Sequence, residues 1–581
     1  MLFQIQSRRR LFLLLLAVLS AAVFLAGGSA PAEEAEPPVP APEFSRPSGF
    51  YDEPFELTVL SRDGLSVYIA RDGSIPDETD QLYTGPLQIT DRSPEENVLS
   101  ARTDIIAPNK WGDAEAPTFP VDKADVIRAV AVDAQGNRSA VSTAVYFIGY
   151  QDKGSYYNDY KVISLTLDPG DLFDSARGIY IQGDSFEQWK NSDAYDPSMD
   201  EWLIPGNYLN RGRDWERQAH MQIFSEGSEV YSADVGIRIH GGACRDSEQK
   251  SFNVYTRKEY GTTVIDYDLY DGDNFSDAAN EPIAAYDSFI LRNCGNDSKF
   301  SRIRDHLIQQ LAWGRSFITQ AMKPCIVFID GEFWGHYEIT EKLTDDFIHD
   351  HFGVKKKNVV LMKNEEVEDG TEEDGLAFRE FRDWIRDTDF AEEDAYQQLE
   401  EQVDLDSLAE YITTQFYICN WDFGSNNFAC WRARETDPDN EWADGKWRFI
   451  LYDTEYSTGL YGTVPPQGNA VEKLRGKNCF ISDLFFGAME NPDFRIKFRD
   501  AYYDMTSLEF ADNEVAESIL ELYSQNQDLI LATYDRFWPG WPGGPDGKYV
   551  LMSQVDDVLN FFKQRRQYSD AHVDQLLSSY R

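Results

Sequence analysis

The chain of 581 residues is poor in the side chains that bind transition metals. None of its six cysteines forms a C-x-x-C pair, and none of its seven histidines belongs to an H-E-x-x-H motif. Structural zinc sites and zinc hydrolases use these spacings, so the sequence indicates neither class. Cys419 and Cys430 lie close enough in sequence to be bridged, although buried free thiols are the favoured interpretation.

Positive charge is also scarce. The chain has 54 Lys and Arg against 101 Asp and Glu, which gives a net charge of −47. Such a surface repels phosphate backbones and acidic lipid headgroups, so neither nucleic acid nor an anionic membrane is expected as a partner. If the protein binds ATP, it needs local cations and metal ions to overcome repulsion of the triphosphate.

Long hydrophobic runs are absent after the N-terminus. Arg8–Arg10 precede the uncharged, leucine-rich run Leu11–Ala26, and Ala30–Ala32 offers a small-x-small cleavage site. This run of about 16 residues is shorter than the roughly 20 that span a bilayer. The pattern predicts that residues 1–32 are an export signal or an uncleaved anchor, and that the protein is extracellular or at the cell surface. No other contact with a membrane is expected.

Composition divides the remainder into four parts. Residues 33–43 are rich in Pro, Glu and Ala and predict a disordered linker. Residues 44–150 contain short β-type runs separated by turns, the pattern of a small antiparallel sandwich. Residues 160–480 mix strand and helix patterns, and residues 481–581 are mainly helical with a loop at Trp538–Pro545. The fold class is therefore multidomain, an all-β domain followed by an α+β domain with a helical end.

Three residues have the order in which kinases supply a catalytic base and two metal ligands. Asp422 is followed five positions on by Asn427, and Asp453 comes 26 residues later at the end of an apolar run. Phosphoryl transfer requires oxygen ligands that converge on Mg²⁺ beside the phosphates. A tight loop can bring Asp422 and Asn427 together, while Asp453 arrives from a neighbouring strand. The pair Asp422 and Asn427 alone is a weak signal, because such spacings arise often by chance.

Two further segments carry candidate nucleotide contacts. Gly236–Arg245 runs from a strand into a glycine turn, and Lys250 follows. Glycines let backbone N–H groups approach an anion and a lysine can contact phosphate oxygens, although a hairpin with a Gly-Gly turn explains the segment equally well. The spacing is not that of a Walker A loop. Glu341 ends the second strand of a hairpin, where kinases join their lobes and hold adenine, but it could also be an ordinary exposed acid.

The first folded region resembles the immunoglobulin-like domain at the C-terminal end of chitobiase and β-hexosaminidase enzymes. The resemblance rests on Pro47–Asp52, Val67–Pro76 and Ile127–Asp133. In those enzymes the domain has a structural or spacing role, so the resemblance assigns it none of the chemistry. Binding of cell-wall glycan is the functional alternative.

The second region resembles the spore coat protein H (CotH) kinase family over about residues 160 to 570. The motifs that carry the resemblance are Gly236–Gly242 with Lys250–Phe252, Leu291–Asp297 with Arg304–Asp305, Gly331–Tyr337 with Glu341–Lys342, Asn420–Asp422 with Asn426–Asn427, and Trp447–Asp453. The resemblance implies an atypical, secretory-pathway-like protein kinase with a two-lobed fold. It also implies transfer of phosphate from ATP with Mg²⁺ or Mn²⁺.

Carried over position by position, the resemblance makes Asp422 the catalytic residue and Asp453 a metal ligand. Asn427 falls at the second metal ligand, although Asn426 could take that role. Cofactor contacts are assigned to Lys250, Arg238 and Glu341. The string Asp422-Phe423-Gly424 looks like the D-F-G metal motif of ordinary kinases, but its place before Asn427 and Asp453 makes it the catalytic loop.

Two functions remain open at this point. The favoured one is an exported protein kinase acting on Ser, Thr or Tyr hydroxyls of surface or spore-coat-like proteins. The alternative is a non-catalytic, kinase-like adhesin associated with the cell wall, in which the β-sandwich is the binding module. A glycoside hydrolase with paired acids is weaker, because no hydrolase motif accompanies the many carboxylates.

Overall fold

The computed structural model describes residues 39–108 and 113–580. The predicted export segment, and the linker as far as residue 38, lie outside these described residues. Within them, no helix combines the length and the apolar character that crossing a membrane requires.

The chain forms 22 strands and 13 α-helices in the described ranges. The strands are β1 Glu43–Phe44, β2 Gly49–Tyr51, β3 Phe55–Leu57, β4 Val59–Leu60, β5 Ser66–Ala70, β6 Gln81–Leu82, β7 Leu87–Ile89, β8 Asp125–Val132, β9 Ser142–Ile148, β10 Lys161–Thr166, β11 Arg217–Ser225, β12 Ser228–Ile239, β13 Phe252–Tyr255, β14 Phe275–Ser276, β15 Glu281–Pro282, β16 Ser288–Arg292, β17 Met322–Ile329, β18 Glu332–Glu341, β19 Val359–Lys363, β20 Glu366–Asp369, β21 Ala429–Ala433 and β22 Arg448–Ile450. The helices are α1 Tyr156–Asp159, α2 Pro169–Phe173, α3 Gly183–Lys190, α4 Arg304–Leu311, α5 Asp345–Phe352, α6 Glu372–Asp387, α7 Glu393–Gln402, α8 Leu405–Tyr417, α9 Ala470–Arg475, α10 Phe480–Ala488, α11 Pro492–Ser507, α12 Asp512–Phe537 and α13 Gly547–Ser578.

The N-terminal region is β-rich, as the sequence predicts. The pair β3–β7 lies in one layer, and β2, β9, β8, β5 and β6 are neighbours in the other. Alternate side chains of both layers, among them Leu57, Ile89, Ile69 and Ile127, are buried in one shared core. This alternation is what lets a short strand present one face to a core.

This region is joined to the rest of the chain by pairing and by packing. Gly49 of β2 pairs with Ser228 of β12, so one sheet continues from the N-terminal region into the following domain. Behind that junction, the ring of Phe147 lies 5.2 Å from Phe224 and 5.1 Å from Phe328, measured between centroids. Because these rings are buried together, the N-terminal region is a packed part of the molecule rather than a module on a tether.

Seven strands of the second region close into a barrel in the order β11, β10, β17, β18, β16, β13 and β12, with β12 pairing back to β11. The pair β10–β17 is parallel and the other pairs are antiparallel. Closure removes the open edges that a sheet otherwise exposes. The expected two-lobed kinase architecture is therefore not confirmed, because the strand-rich half is a closed barrel.

The barrel interior is apolar and its outer face carries polar groups. Ile237, Val254 and Phe289 belong to one buried cluster to which all seven strands contribute. Their neighbours in sequence point the other way, since successive side chains alternate across a strand. Arg238 is registered with Asn253, Asn253 with Ile290, and Ile290 with Thr340 on that outer face.

A second, four-stranded sheet is packed among the helices. Its order is β20, β19, β21 and β22, all antiparallel. Helix α8 contacts β22 and is almost wholly buried, which fixes the loop that follows it. The C-terminal part is helical, as predicted, with the expected loop at Trp538–Pro545 between α12 and α13.

Glu332, the first residue of β18, links the N-terminal region to the barrel through hydrogen bonds. Its carboxylate accepts hydrogen bonds from the backbone N–H groups of Val98 at 2.7 Å, Leu99 at 3.2 Å and Ser100 at 2.7 Å. The side chain is buried, so water cannot replace these bonds if the carboxylate is removed.

We expect Glu332→Ala to lower the free energy of unfolding by about 3 kcal/mol, because it leaves three buried N–H groups without an acceptor. Urea unfolding followed by circular dichroism measures the change. Glu332→Gln keeps one acceptor oxygen, so its free energy of unfolding should fall by less. Equal midpoints for wild type and Glu332→Ala would show that this carboxylate does not hold the two regions together.

Candidate active site

The structure brings Asn427 and Asp453 together at the ends of adjacent strands. The Asn427 Nδ2 donates a hydrogen bond to the Asp453 carbonyl oxygen at 3.2 Å. Both residues have a left-handed backbone, with φ of 49° and 54°. Asn and Asp tolerate this conformation better than most residues.

Asp422 lies in the loop after α8, and backbone bonds position this loop. The Trp421 N–H donates to the Tyr456 carbonyl at 2.8 Å, which holds the loop against the segment that follows Asp453. The Asp422 N–H donates to Asn420 Oδ1 at 3.1 Å, and the Gly424 N–H to the Asn426 carbonyl at 3.0 Å. Asp422 itself is partly exposed.

Three carboxyl groups converge on the guanidinium of Arg292, at the end of β16. Nη2 contacts Asp453 Oδ1 at 3.1 Å, and Nε lies 3.0 Å from Glu455 Oε1 and 3.4 Å from Asp305 Oδ2. Burial is the largest single influence on Asp453 and raises its pKa, but the Arg292 charge, the Glu455 hydrogen bond and the Lys363 charge together lower the pKa below its ordinary value. Burial raises the pKa of Glu455. The second oxygen of Glu455 is buried without a hydrogen-bond partner.

Two lysines on the other side of this cluster have no acidic partner. In the part of the chain that the structure describes, no carboxylate oxygen lies within 4 Å of the ammonium of Lys342 or Lys363. Burial lowers the pKa of both, and Asp453 is among the charges that act on Lys363. An unpaired, partly buried cation is costly unless an anion joins it.

Arg238 completes this basic group on the outer face of the barrel. Its guanidinium stacks 4.2 Å from the centroid of the Tyr255 ring, and Nε lies 3.3 Å from Glu216 Oε2. The positive charge of Arg238 is one cause of the lowered pKa of Lys342, so the two cations are close. Arg238 therefore lies near Lys342, and its contact with a nucleotide stays a prediction.

The assignment of Lys250 as a phosphate contact is wrong. Its ammonium is buried and donates to the carbonyl oxygens of Arg245 at 2.9 Å and Ser247 at 2.8 Å. It also lies 4.1 Å from the centroid of the Tyr208 ring. Burial lowers its pKa to about 7. Lys250 therefore holds the turn after the glycines and does not face the Asp453 cluster.

Glu341 is likewise a structural residue rather than a nucleotide contact. One carboxylate oxygen accepts from Asn274 Nδ2 at 2.7 Å and faces His351 Nε2 at 2.8 Å. The other accepts from the Ala321 N–H at 2.9 Å. Alternation along β18 explains the outcome, because Glu341 points inward and its neighbour Lys342 points outward.

The glycine turn that Lys250 supports lies beside the carboxylate cluster. Gly241 has φ of 110°, and a Cβ atom there would lie 2.5 Å from the Cys244 sulfur, so only glycine fits. Burial raises the pKa of the Cys244 thiol, and the charges of Arg292 and Asp453 act on it. The turn therefore lies near the charges of Arg292 and Asp453.

One other group of described residues has the composition of a metal site. Cys294, His336 and Glu338 offer ligand atoms within 4.8 Å of one another. However, the Arg302 guanidinium contacts His336 Nδ1 at 3.3 Å and opposes a cation there. His306 Nδ1 and His336 Nε2 face the Glu338 carboxylate at 3.3 and 3.4 Å, so the group is organised as a buried ion-pair network.

Comparison with known families decides the classification. A family model described as CotH kinase protein matches residues 237–569, more than half of the chain. The chain belongs to the CotH kinase family. A second model, described as Fn3 associated, matches residues 55–146 and corresponds to the N-terminal β-rich region. No curated protein gives a significant match to the chain.

Membership of the CotH kinase family indicates an atypical kinase that uses ATP and a divalent metal ion. The residues of this chain fit both groups. Asp453 and Asn427 offer the hard oxygen atoms that Mg²⁺ and Mn²⁺ prefer, beside the unpartnered oxygen of Glu455. The side chains of Lys342, Lys363 and Arg238 offer the positive charge that a triphosphate requires.

Sequence reasoning missed Arg292, Lys342 and Lys363 as site residues. Arg292 and Lys342 belong to motifs of the family resemblance, but nothing in one sequence shows which way their side chains point. Lys363 ends the apolar strand Val359–Lys363, which gave no signal of its own.

We expect Lys363→Met to weaken the affinity for Mn²⁺-ATP about tenfold, because it removes a charged contact that no carboxylate occupies. Lys250→Met should instead lower thermal stability and leave the affinity of the folded protein unchanged. Isothermal titration calorimetry measures the affinity, with the exposed Lys357→Met as a matched control. A loss of affinity in Lys250→Met, with none in Lys363→Met, would show that Lys250 is the phosphate contact.

Proposed function

We propose that this protein is an exported protein kinase, which transfers the γ-phosphate of ATP to Ser, Thr or Tyr hydroxyls of surface or spore-coat-like proteins. The observation that carries the proposal is the hydrogen bond from Asn427 to Asp453, opposite two lysines without acidic partners. The site thus offers hard oxygen donors and, near them, positive charge without an ion pair, which are what a metal triphosphate needs.

In the proposed reaction, Asp422 orients the substrate hydroxyl and accepts its proton. The hydroxyl oxygen forms a bond to the γ-phosphorus while the bond from that phosphorus to the β–γ bridging oxygen breaks, which leaves ADP. Asp453 and Asn427 would hold the divalent cation, which neutralises charge on the phosphate oxygens. Lys342, Lys363 and Arg238 would bind the phosphates, which is mainly a task of positioning and electrostatics.

The negative net charge of the chain is compatible with this proposal because the basic groups are local. The charges of Arg292 and Lys342 both act on Lys363, and that of Arg238 acts on Lys342, so these cations are neighbours. A non-catalytic adhesin would gain nothing from lysines held partly buried and unpaired, which favours the kinase over that alternative. Glycan binding by the β-sandwich stays a separate proposal, and none of the site chemistry depends on it.

We expect Asp422→Asn to lower phosphate transfer about a hundredfold to ten-thousandfold, because the amide cannot accept the proton. Asp453→Asn should abolish transfer and also weaken Mn²⁺-dependent binding of ATP. Asn is the appropriate substitute at position 453 because it tolerates the left-handed backbone there. Incorporation of ³²P, followed by mass spectrometry of the chain, measures transfer and autophosphorylation.

A thermal-shift assay with Mn²⁺ and ATP provides the control. A bound ligand at a hundred times its Kd stabilises the native state by about 2.7 kcal/mol. Wild type and Asp422→Asn should show this shift, and Asp453→Asn should lose most of it. Full ³²P incorporation by both variants would refute the assignment of these residues, whereas a wild type with neither shift nor transfer would favour the adhesin.

A further inference from the structure

Two lysines lie against the loop that carries Asp422. Lys473 belongs to α9, and Lys477 follows the end of that helix. The Lys473 ammonium lies 3.3 Å from the centroid of the Trp421 ring. The Lys477 ammonium donates a hydrogen bond to the Phe423 carbonyl oxygen, and the stem of that lysine crosses Gly424. A Cβ atom at Gly424, where φ is 124°, would lie 2.8 Å from Lys477 Cδ. Both cations are thus held against the loop that carries Asp422.

Neither lysine is neutralised by an ion pair. Across residues 39–108 and 113–580, no carboxylate oxygen lies within 4 Å of the ammonium of Lys473 or Lys477. Burial lowers the pKa of both, that of Lys473 to about 8, and each is also influenced by the Asp422 charge. The chain has almost twice as many acidic as basic residues. Two lysines without an ion pair beside Asp422 therefore call for a functional explanation.

These lysines contact different parts of the molecule from the candidate nucleotide contacts: Lys473 and Lys477 lie against the loop that carries Asp422, whereas the ammonium groups of Lys342 and Lys363 lie over the rings of Tyr255 and Tyr452. Asp422 is the acid that acts on Lys473 and Lys477. Glu368 and Asp453 are the acids that act on Lys363. Because Asp422 would meet the substrate hydroxyl, cations held against its loop are placed to meet the arriving polypeptide.

From this juxtaposition we infer that Lys473 and Lys477 bind an acidic side chain next to the target hydroxyl, so that the substrate is an acidic peptide segment. The inference rests on the proposed kinase function and specifies its substrate class. A carboxylate is the anion it requires; a phosphorylated residue offers the same chemistry with more charge. The aromatic ring of Trp421 holds Lys473 in place without neutralising it, which leaves the charge available to a ligand.

The test begins with binding in the absence of nucleotide. Three fluorescein-labelled serine peptides, flanked by Glu, Gln or Lys, are titrated with the full chain while anisotropy is followed. Wild type should prefer the Glu peptide, and more so at low salt. Lys473→Met keeps the packing stem and should lose about fivefold in affinity for the Glu peptide alone. A wild type that binds the Glu and Gln peptides equally overturns the inference.

Arg475→Met is the matched control, because Arg475 lies on the same helix but stacks on Phe486, 4.1 Å from the ring centroid. It removes one positive charge and should leave the preference unchanged. If Arg475→Met and Lys473→Met lose affinity equally, the effect is the net charge of the surface and the inference fails. Lys473→Glu should transfer the preference to the Lys peptide.

Steady-state transfer of ³²P distinguishes this inference from a role of Lys473 on the transferred phosphate. It also tests the proposed kinase function separately. Lys473→Met should raise KM for the Glu peptide about fivefold, with kcat within twofold and the Gln peptide unaffected. An equal fall in kcat on all peptides would place Lys473 on the transferred phosphate and overturn the inference. Selective binding of the Glu peptide by a wild type that transfers no phosphate would support the anion site and refute the kinase.

Discussion

The ion-pair cluster around Arg292 is the interaction on which the rest of the site depends. One guanidinium at the end of β16 contacts Asp305 of α4, Asp453 after β22, and Glu455. Arg292 therefore connects the barrel, helix α4 and the segment that carries Asp453. Because the group is buried, loss of Arg292 would leave three carboxyl groups in one small volume without a counter-charge.

The frame around this cluster is a continuous β-structure packed against helices. Closure of the barrel joins β12 to both neighbours, and the N-terminal region extends the same sheet through β2. Gly335 of β18 has φ of 94° and lies where a Cβ atom would come 2.9 Å from Thr533 of α12, so the C-terminal helices also pack directly on the barrel.

The errors in the residue assignments share one physical origin. Lys250 and Glu341 stand in the right motifs, but their side chains point into the interior and bond to the protein itself. The lysines without an ion pair are instead Lys342, just after β18, and Lys363, at the end of β19, and a single sequence cannot align these strands. A motif predicts which backbone segment is near the ligand, whereas alternation along a strand decides which side chain reaches it.

The sequence alone determined the β-rich start, the helical end, the spacing of Asp422, Asn427 and Asp453, and the family. These features are local or follow from short motifs, so periodicity and spacing record them. The tertiary structure decided the closure of the barrel, the fusion of the N-terminal region, and the grouping of Arg292, Lys342 and Lys363. Each of these depends on contacts between segments tens to hundreds of residues apart, and pairing across such distances leaves no periodic trace in one chain.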